Sequence, residues 1–315
     1  MFFKKMLLLF FLSATLLSSI MAQTTNDYAK NWKNTEAFEK KGLTKSALQE
    51  VLVIYNLAVK ENNTAQQIKS CMYQIKYRNM VEEDSHENNI FFVDTLIANA
   101  ASPAKNILQS MQAEMFWQYL QNNRWKFYNR TKQTEEKSKD IATWSIDKLN
   151  STIIKLYKAS LLNSKLLQTV KTESFKPIIN KGENSANLRP TLYDFLCHRA
   201  LAFFMNDEQD LTKPAYQFTI NEAAAFSPVR DFVSAQFKTN DTASLHHSAI
   251  ELFQDILQFH QSDVNADALL DADLIRLNFI YQYAVNENKT ELYEAALKEI
   301  EAKYAPNSAV AQAMY

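Results

Sequence analysis

Glycine is almost missing from this chain: 2 occur in 315 residues, where average usage of about 7% would give roughly 22. A phosphate loop, a dinucleotide fingerprint or a nucleophile elbow needs closely spaced glycines, because backbone must approach a phosphate or turn sharply there. Gly42 and Gly182 stand alone, so those enzyme classes fall away. Prolines number only 6, and tight hairpin turns lack their usual residues. Neither sign of charge dominates: 34 basic residues face 35 acidic ones, scattered along the chain, which gives no footprint for nucleic acid or an anionic membrane. Cysteine is scarce too. Cys71 and Cys197 are far apart, each inside an apolar helical pattern, which favours two buried thiols over a disulfide.

Long apolar runs are also lacking, with one exception at the start. Met1-Phe2-Phe3-Lys4-Lys5 is a charged opening, an apolar run extends from Met6 to Ile20, and Met21-Ala22-Gln23 supplies a small-residue exit. That is the pattern of a secretory signal peptide over 1–22, cleaved after Ala22. The run falls short of the roughly 20 residues a spanning helix needs. Gln23 stands where a lipoprotein would carry Cys. The expectation is an exported protein, periplasmic or extracellular, with no membrane span.

The chain is rich instead in helical periodicity. Leu48, Val51, Leu52, Tyr55, Ala58 and Val59 recur at i, i+3, i+4 and i+7, and Lys41-Gly42-Leu43 before them reads as a helix end with a left-handed glycine. Thr64-Ala65-Gln66-Gln67 reads as a capping box, with Ile68, Cys71, Met72 and Ile75 as the buried stripe behind it. Ser102-Pro103 places a cap and a first-turn proline before Ile107, Leu108, Met111, Met115 and Tyr119. Further helices are predicted over 141–170, 191–205, 243–260, 268–285 and 290–304. The segments 129–140, 172–190 and 206–232 lack periodicity and read as surface loops, the first two being candidate subdivisions of a helical region over 23–315. The fold class predicted is all-α: an irregular stack of antiparallel helical hairpins, TPR-like or α-solenoid-like. No self-similarity near a 34-residue period supports a strict repeat, and the Trp-x-x-Leu-Gly-x-x-Tyr signature is absent. Asn307-Ser308 reads as a cap with only two turns behind it, so the chain is expected to continue past Tyr315.

Candidate chemistry is sparse. His247 and Glu251 sit one helical turn apart, where two metal ligands could share a face, but the His-Glu-x-x-His order is missing and a solvated helix surface is the simpler reading. His260 reads as a helix-end residue near the last carbonyls. The acids of Asp263 to Asp273 have calcium-loop spacing, yet Ala268 replaces the turn glycine and Leu274 cannot ligate at position twelve. Cys197 and His198 are adjacent, their side chains about 100° apart on a helix, with no orienting third group. Trp117, Tyr119, Trp125, Phe127 and Tyr128 interleave with Arg124, Lys126 and Arg130; such a stripe more often pins helices together than stacks on a base or sugar. No residue is assigned a catalytic, cofactor-binding or metal-binding role, and the chain is expected not to be an enzyme.

One run carries a resemblance. Leu188-Arg189-Pro190-Thr191-Leu192-Tyr193-Asp194-Phe195-Leu196-Cys197-His198-Arg199-Ala200-Leu201, with Asn206-Asp207-Glu208 after it, resembles a segment near the start of the Bacteroidetes-type bacterial alpha-2-macroglobulin family. Similar in the same order are Lys41-Gly42-Leu43-Thr44-Lys45-Ser46-Ala47-Leu48, Met115-Phe116-Trp117-Gln118-Tyr119 with Asn123-Arg124-Trp125-Lys126-Phe127, and Asp273-Leu274-Ile275-Arg276-Leu277 with Tyr293 and Ala296-Leu297. The resemblance implies a helical N-terminal region ahead of a train of β-sandwich macroglobulin domains, in a large exported chain of a family that traps proteases. The Cys-Gly-Glu-Gln thioester of many members is absent here, since neither Cys71 nor Cys197 has that neighbourhood. For this segment the resemblance implies a scaffold or docking role, its partners being the downstream macroglobulin domains of the same chain and proteases or other envelope proteins. The other reading is a self-standing helical-repeat module that binds a peptide or partner protein.

Overall fold

The computed structural model describes residues 28–82, 85–127, 139–180, 182, 185–206, 216–305 and 307. The segment 1–22 read as a signal peptide, the segment 128–138 with Tyr128 and Arg130, Asp207-Glu208 and residues 308–315 lie outside the described residues. Among those described the protein is all-helical, with no strand beyond one isolated bridge between Lys171 and Thr191. None of these helices is long and apolar enough to cross a membrane. The chain forms two compact units, Met1–Asn99 and Ala100–Tyr315.

The first unit is built from α1 (28–40), α2 (Thr44–Lys60), α3 (Thr64–Val81) and α4 (Ser85–Ala98). Gly42, at φ 69°, ends α1, as expected: Leu43 N–H donates to Phe38 O and Gly42 N–H to Glu39 O, which satisfies the last carbonyls. The same device recurs with asparagine. Asn62 (φ 54°) ends α2, with Asn63 N–H on Ala58 O and Asn62 N–H on Val59 O. The cap of α3 is therefore Asn63, whose side chain accepts from Gln66 N–H, and not Thr64, which is already helical. Connections this short force consecutive helices to reverse. Tyr28 on α1 bonds Glu61 after α2 and Asn34 bonds Glu50, an antiparallel register, while Trp32 bonds Gln66 and Tyr77 bonds Glu39, which sets α3 parallel to α1.

The core of this unit is Tyr28, Trp32, Ala47, Val51, Ile54, Ala58 and Tyr77. Burying a Val or Ile contributes about 1.5–3 kcal/mol each. The buried stripes are rotated from those read in the sequence. On α2 the stripe runs through Ile54, leaving Val59 exposed; on α3 it takes Gln67, Ser70, Gln74 and Tyr77 and leaves Met72 in solvent. Polar side chains won those places because partners exist for them, as when the Ser70 hydroxyl bonds Gln66 O and Tyr77 reaches Glu39.

The second unit contains α5 (Ala104–Asn123), α6 (Ile146–Ser160), α7 (Ser164–Thr169), α8 (Ser185–Leu188), α9 (Leu192–Phe204), α10 (Val229–Ser234), α11 (Leu245–His260), α12 (Asp267–Tyr283) and α13 (Lys289–Tyr304). The continuous helix predicted over 141–170 is broken. Asn163 takes a left-handed φ of 62°, and buried Asn106 of α5 donates to Ser160 O and Leu162 O, accommodating the break by satisfying the freed carbonyls. Pro103 occupies the cap position of α5, and Ser102 makes no capping bond; its hydroxyl accepts from Asn163 instead. α6 packs along α5, α9 touches both, and α11 lies against α9, α10 and α12. The stretches 172–190 and 206–232, read as surface loops, are partly core. Phe175, Ile220, Phe226 and Phe232 are buried, most of them delivered by short helical turns whose length hides any period.

Candidate functional site

α9 is the polar centre of the second unit. It starts at a capping box: Thr191 Oγ1 and N–H both donate to Asp194 Oδ2, at 2.7 and 2.8 Å, and Asp194 N–H returns to Thr191 Oγ1 at 3.4 Å. Leu192 N–H on Val170 O and Thr172 N–H on Pro190 O hold the approach to this cap in place. Asp194 is fully buried, and its other oxygen, Oδ1, lies 2.6 Å from Nε2 of His260 at the end of α11. The second ring nitrogen of His260, Nδ1, lies 2.7 Å from Asp263 Oδ2. His260 is thus clamped between two carboxylates and does not cap the last carbonyls of α11. Burial opposes its charge, but the hydrogen bonds and negative charge of Asp194 and Asp263 outweigh burial and hold its pKa above the ordinary imidazole value.

The neighbouring histidine has the opposite character. Burial, reinforced by the positive charge of Arg189, pushes the pKa of His198 down to about 3. Its Nε2 lies 3.6 Å from Asp271 Oδ2 and Arg189 Nε lies 3.7 Å from the same atom, both beyond hydrogen-bond distance. A neutral His198 makes no ion pair there, whatever the separation. Burial also raises the pKa of Asp271, against the pull of Arg189.

Two more networks radiate from the same helices. Arg199 of α9 donates to Ser110 Oγ on α5 at 2.9 Å and stands 3.6 Å from Glu114, which accepts from Tyr157 of α6 at 3.0 Å. On α12, Arg276 is fully buried. Its Nε and Nη2 face Asp273 Oδ1 at 2.8 and 2.7 Å, its Nη1 donates to Ala225 O at 2.6 Å, and its plane covers the Phe232 ring at 4.3 Å. A cavity of about 30 Å³ lies beside this pair, bounded by Phe226, Leu277, Ile300 and Lys303. It has room for about one water.

No family model, curated protein or solved structure matches this chain.

A histidine donating from both nitrogens has no lone pair, so the clamped His260 is neither a base nor a metal ligand. His247 Nε2 lies 2.7 Å from Phe237 O, which can only accept, so that nitrogen carries the proton; Nδ1 is 3.8 Å from Glu251. His246 packs against Phe279 and Tyr283. The acids from Asp263 to Asp273 diverge: Asp263 turns to His260, Asp267 accepts from Asn307, Asp271 faces His198 and Arg189, and Asp273 holds Arg276. Among the described residues no group of three His, Cys, Asp or Glu side chains could hold a metal. Both thiols are free and buried; burial pushes Cys71 up to about 12 and Cys197 well above the ordinary thiol value, far from a reactive thiolate. Of the aromatic stripe, Trp117 meets Phe203 edge to face and Tyr119 meets Phe127, while Trp125 is largely exposed beneath Lys126.

Sequence reasoning missed the partnership of Asp194 with His260. Thr191 and Asp194 have capping-box spacing, and that signal was available three residues apart. Nothing local pairs residues 66 positions apart.

Proposed function

We propose that this chain is a non-catalytic helical scaffold or interaction region of an exported alpha-2-macroglobulin-like protein, whose full-length form traps or inhibits proteases. One observation carries the reading. The run from Leu188 to Leu201, on which the family resemblance rests, commits polar side chains to holding helices: Thr191 and Asp194 cap α9, Asp194 reaches α11, and Arg199 reaches α5. A segment whose charged groups hold neighbouring helices supports a scaffold role better than a catalytic one. The signal-peptide pattern over 1–22 supports export to the periplasm or beyond, and the downstream macroglobulin domains would be the partner this scaffold carries.

The test is the size of the native polypeptide, read with an antibody against this segment on an envelope fraction. A band several times the 36.4 kDa of this chain is expected. A mature product slightly below that mass sinks the reading and favours the second one, a self-standing helical-repeat module that binds a peptide or partner protein. That second reading has its own support in the first unit. Contacts between the parallel helices α1 and α3 join residues 34, 37 and 38 positions apart, the length of one helical hairpin, as a TPR-like stack requires.

A further inference from the structure

The clamp at the end of α11 has an unequal build. Asp194 is sealed: its side chain is 1% exposed and tied to Thr191 through the other oxygen. Asp263 stands in the connection between α11 and α12, over 261–266, with its side chain 42% exposed. Its neighbour Val264 is fully in solvent. Between the two carboxylates lies a ring that is 1% exposed.

Both contacts of His260 are short, at 2.6 and 2.7 Å, so each demands a proton on its nitrogen. A neutral imidazole keeps one N–H and turns a lone pair toward the other carboxylate, which at such a distance is repulsive. One contact must then open. Releasing Asp194 would leave a buried carboxylate oxygen without a donor or water, whereas Asp263 can swing into solvent and be hydrated. The Nε2–H tautomer therefore survives, and the outer contact breaks.

We propose that His260 is a proton-controlled latch: as an imidazolium it ties the 261–266 connection to α9 through Asp263, and on losing its proton it keeps Asp194 and releases Asp263. The groups around the ring fit this division. Asp194 faces it from α9 and Asp263 from the connection. His198 of α9 is the next charged or titratable neighbour of the ring; Arg189 ahead of α9 and Asp271 of α12 act on His198 and Asp194, and Asp255 of α11 acts on Tyr193. None of these four takes a ring nitrogen, because Asp194 and Asp263 occupy both.

The test measures amide exchange of the 261–266 connection in the full chain from pH 5.5 to 8.5, read at Asp263, whose N–H donates to His260 O, after correction for intrinsic exchange chemistry, beside the ¹⁵N imidazole spectrum of His260. Protection should stay level while latched and released forms both hold the proton, fall by up to about tenfold per pH unit once only the latched form holds it, and level off again when the latched ring has titrated, with the neutral ring as the Nε2–H tautomer. The half-exposed Asp263→Asn variant should fold, lower the titration point of His260 and show low, pH-independent protection of the connection. Three results would overturn the latch: protection unchanged through the titration of His260, the same pH-dependent loss in Asp263→Asn, or a neutral Nδ1–H tautomer with exchange opening first at residues 191–194.

Discussion

Replacing Asp194 by Ala tests whether the buried clamp holds the second unit together. The substitution removes every bond the carboxylate accepts from Thr191 and His260, and leaves the imidazolium of His260 buried without its inner partner. Breaking a buried ion pair from one side costs about 3–5 kcal/mol, and losing the cap adds about 1 kcal/mol. In a unit the size of Ala100–Tyr315 each kcal/mol lowers Tm by about 2–4 °C, so the melt monitored by circular dichroism at pH 6 should drop by at least roughly 8 °C. Thr191→Val removes only the hydroxyl part of the same cap and should lower Tm by about 2–4 °C. The pH dependence has a definite sign. His260 has a folded pKa raised above its unfolded value, so its stabilisation is complete below about 6.5 and fades as pH rises through the folded pKa. The gap between parent and Asp194→Ala should therefore narrow at pH 9. If Asp194→Ala melts no lower than Thr191→Val at pH 6, no buried charge pair is present and the reasoning fails.

Three further outcomes are expected. His198 is held neutral with its pKa near 3, so the stability it permits is complete above about 6.5 and is lost as pH falls toward 3, at about 1.4 kcal/mol per pH unit; His198→Phe should flatten this acid limb in urea midpoints taken from pH 4 to 7, and an unchanged slope would contradict it. Asp273→Ala should cost about 3–5 kcal/mol by stranding Arg276, while Asp273→Leu with Arg276→Met should recover most of that loss; equal denaturation midpoints for the single and double variants would refute the pairing. Gly42→Ala meets open space but a φ of +69°, so its cost is conformational alone, about 1 kcal/mol, and Gly42→Asn should cost less in the same thermal assay.

The helices were legible where one face repeats over several turns. α9, α11, α12 and α13 begin and end within about two residues of the predicted bounds, because Thr191 and Ser244 cap their helices and the apolar spacing between is long enough to read. Gly42 was legible as a turn because a scarce glycine just before a periodic run has one obvious use. Asn62 and Asn163 perform the same left-handed turn, yet asparagine is common here and signals nothing by its presence, which is why the break in 141–170 was hidden. The α4 segment passed unseen because half-buried Phe91, Phe92 and Ile97 flank the buried Ile90, Val93 and Leu96, so that apolar residues spread beyond one face.

The site was illegible for a different reason, one of distance along the chain. A charged residue in an amphipathic helix is read as solvated unless something says that its partner is also inside, and that partner lies in another element. Asp194, Asp271, Asp273 and Arg276 each look like surface residues singly, His198 reads as a packing residue beside Cys197 and His260 as a helix end, and each of the six is largely or fully buried. Their burial is tolerable only in combination: His260 needs two carboxylates, Arg276 needs Asp273 and the Ala225 carbonyl, and His198 avoids the cost by staying neutral. Such a set resists piecemeal substitution more strongly than an apolar core does, since any single loss strands a charge, whereas an apolar cavity can partly collapse. The polar centre around α9 should accordingly be the part of the second unit least tolerant of single changes, although periodicity alone gives it no distinction from the surface.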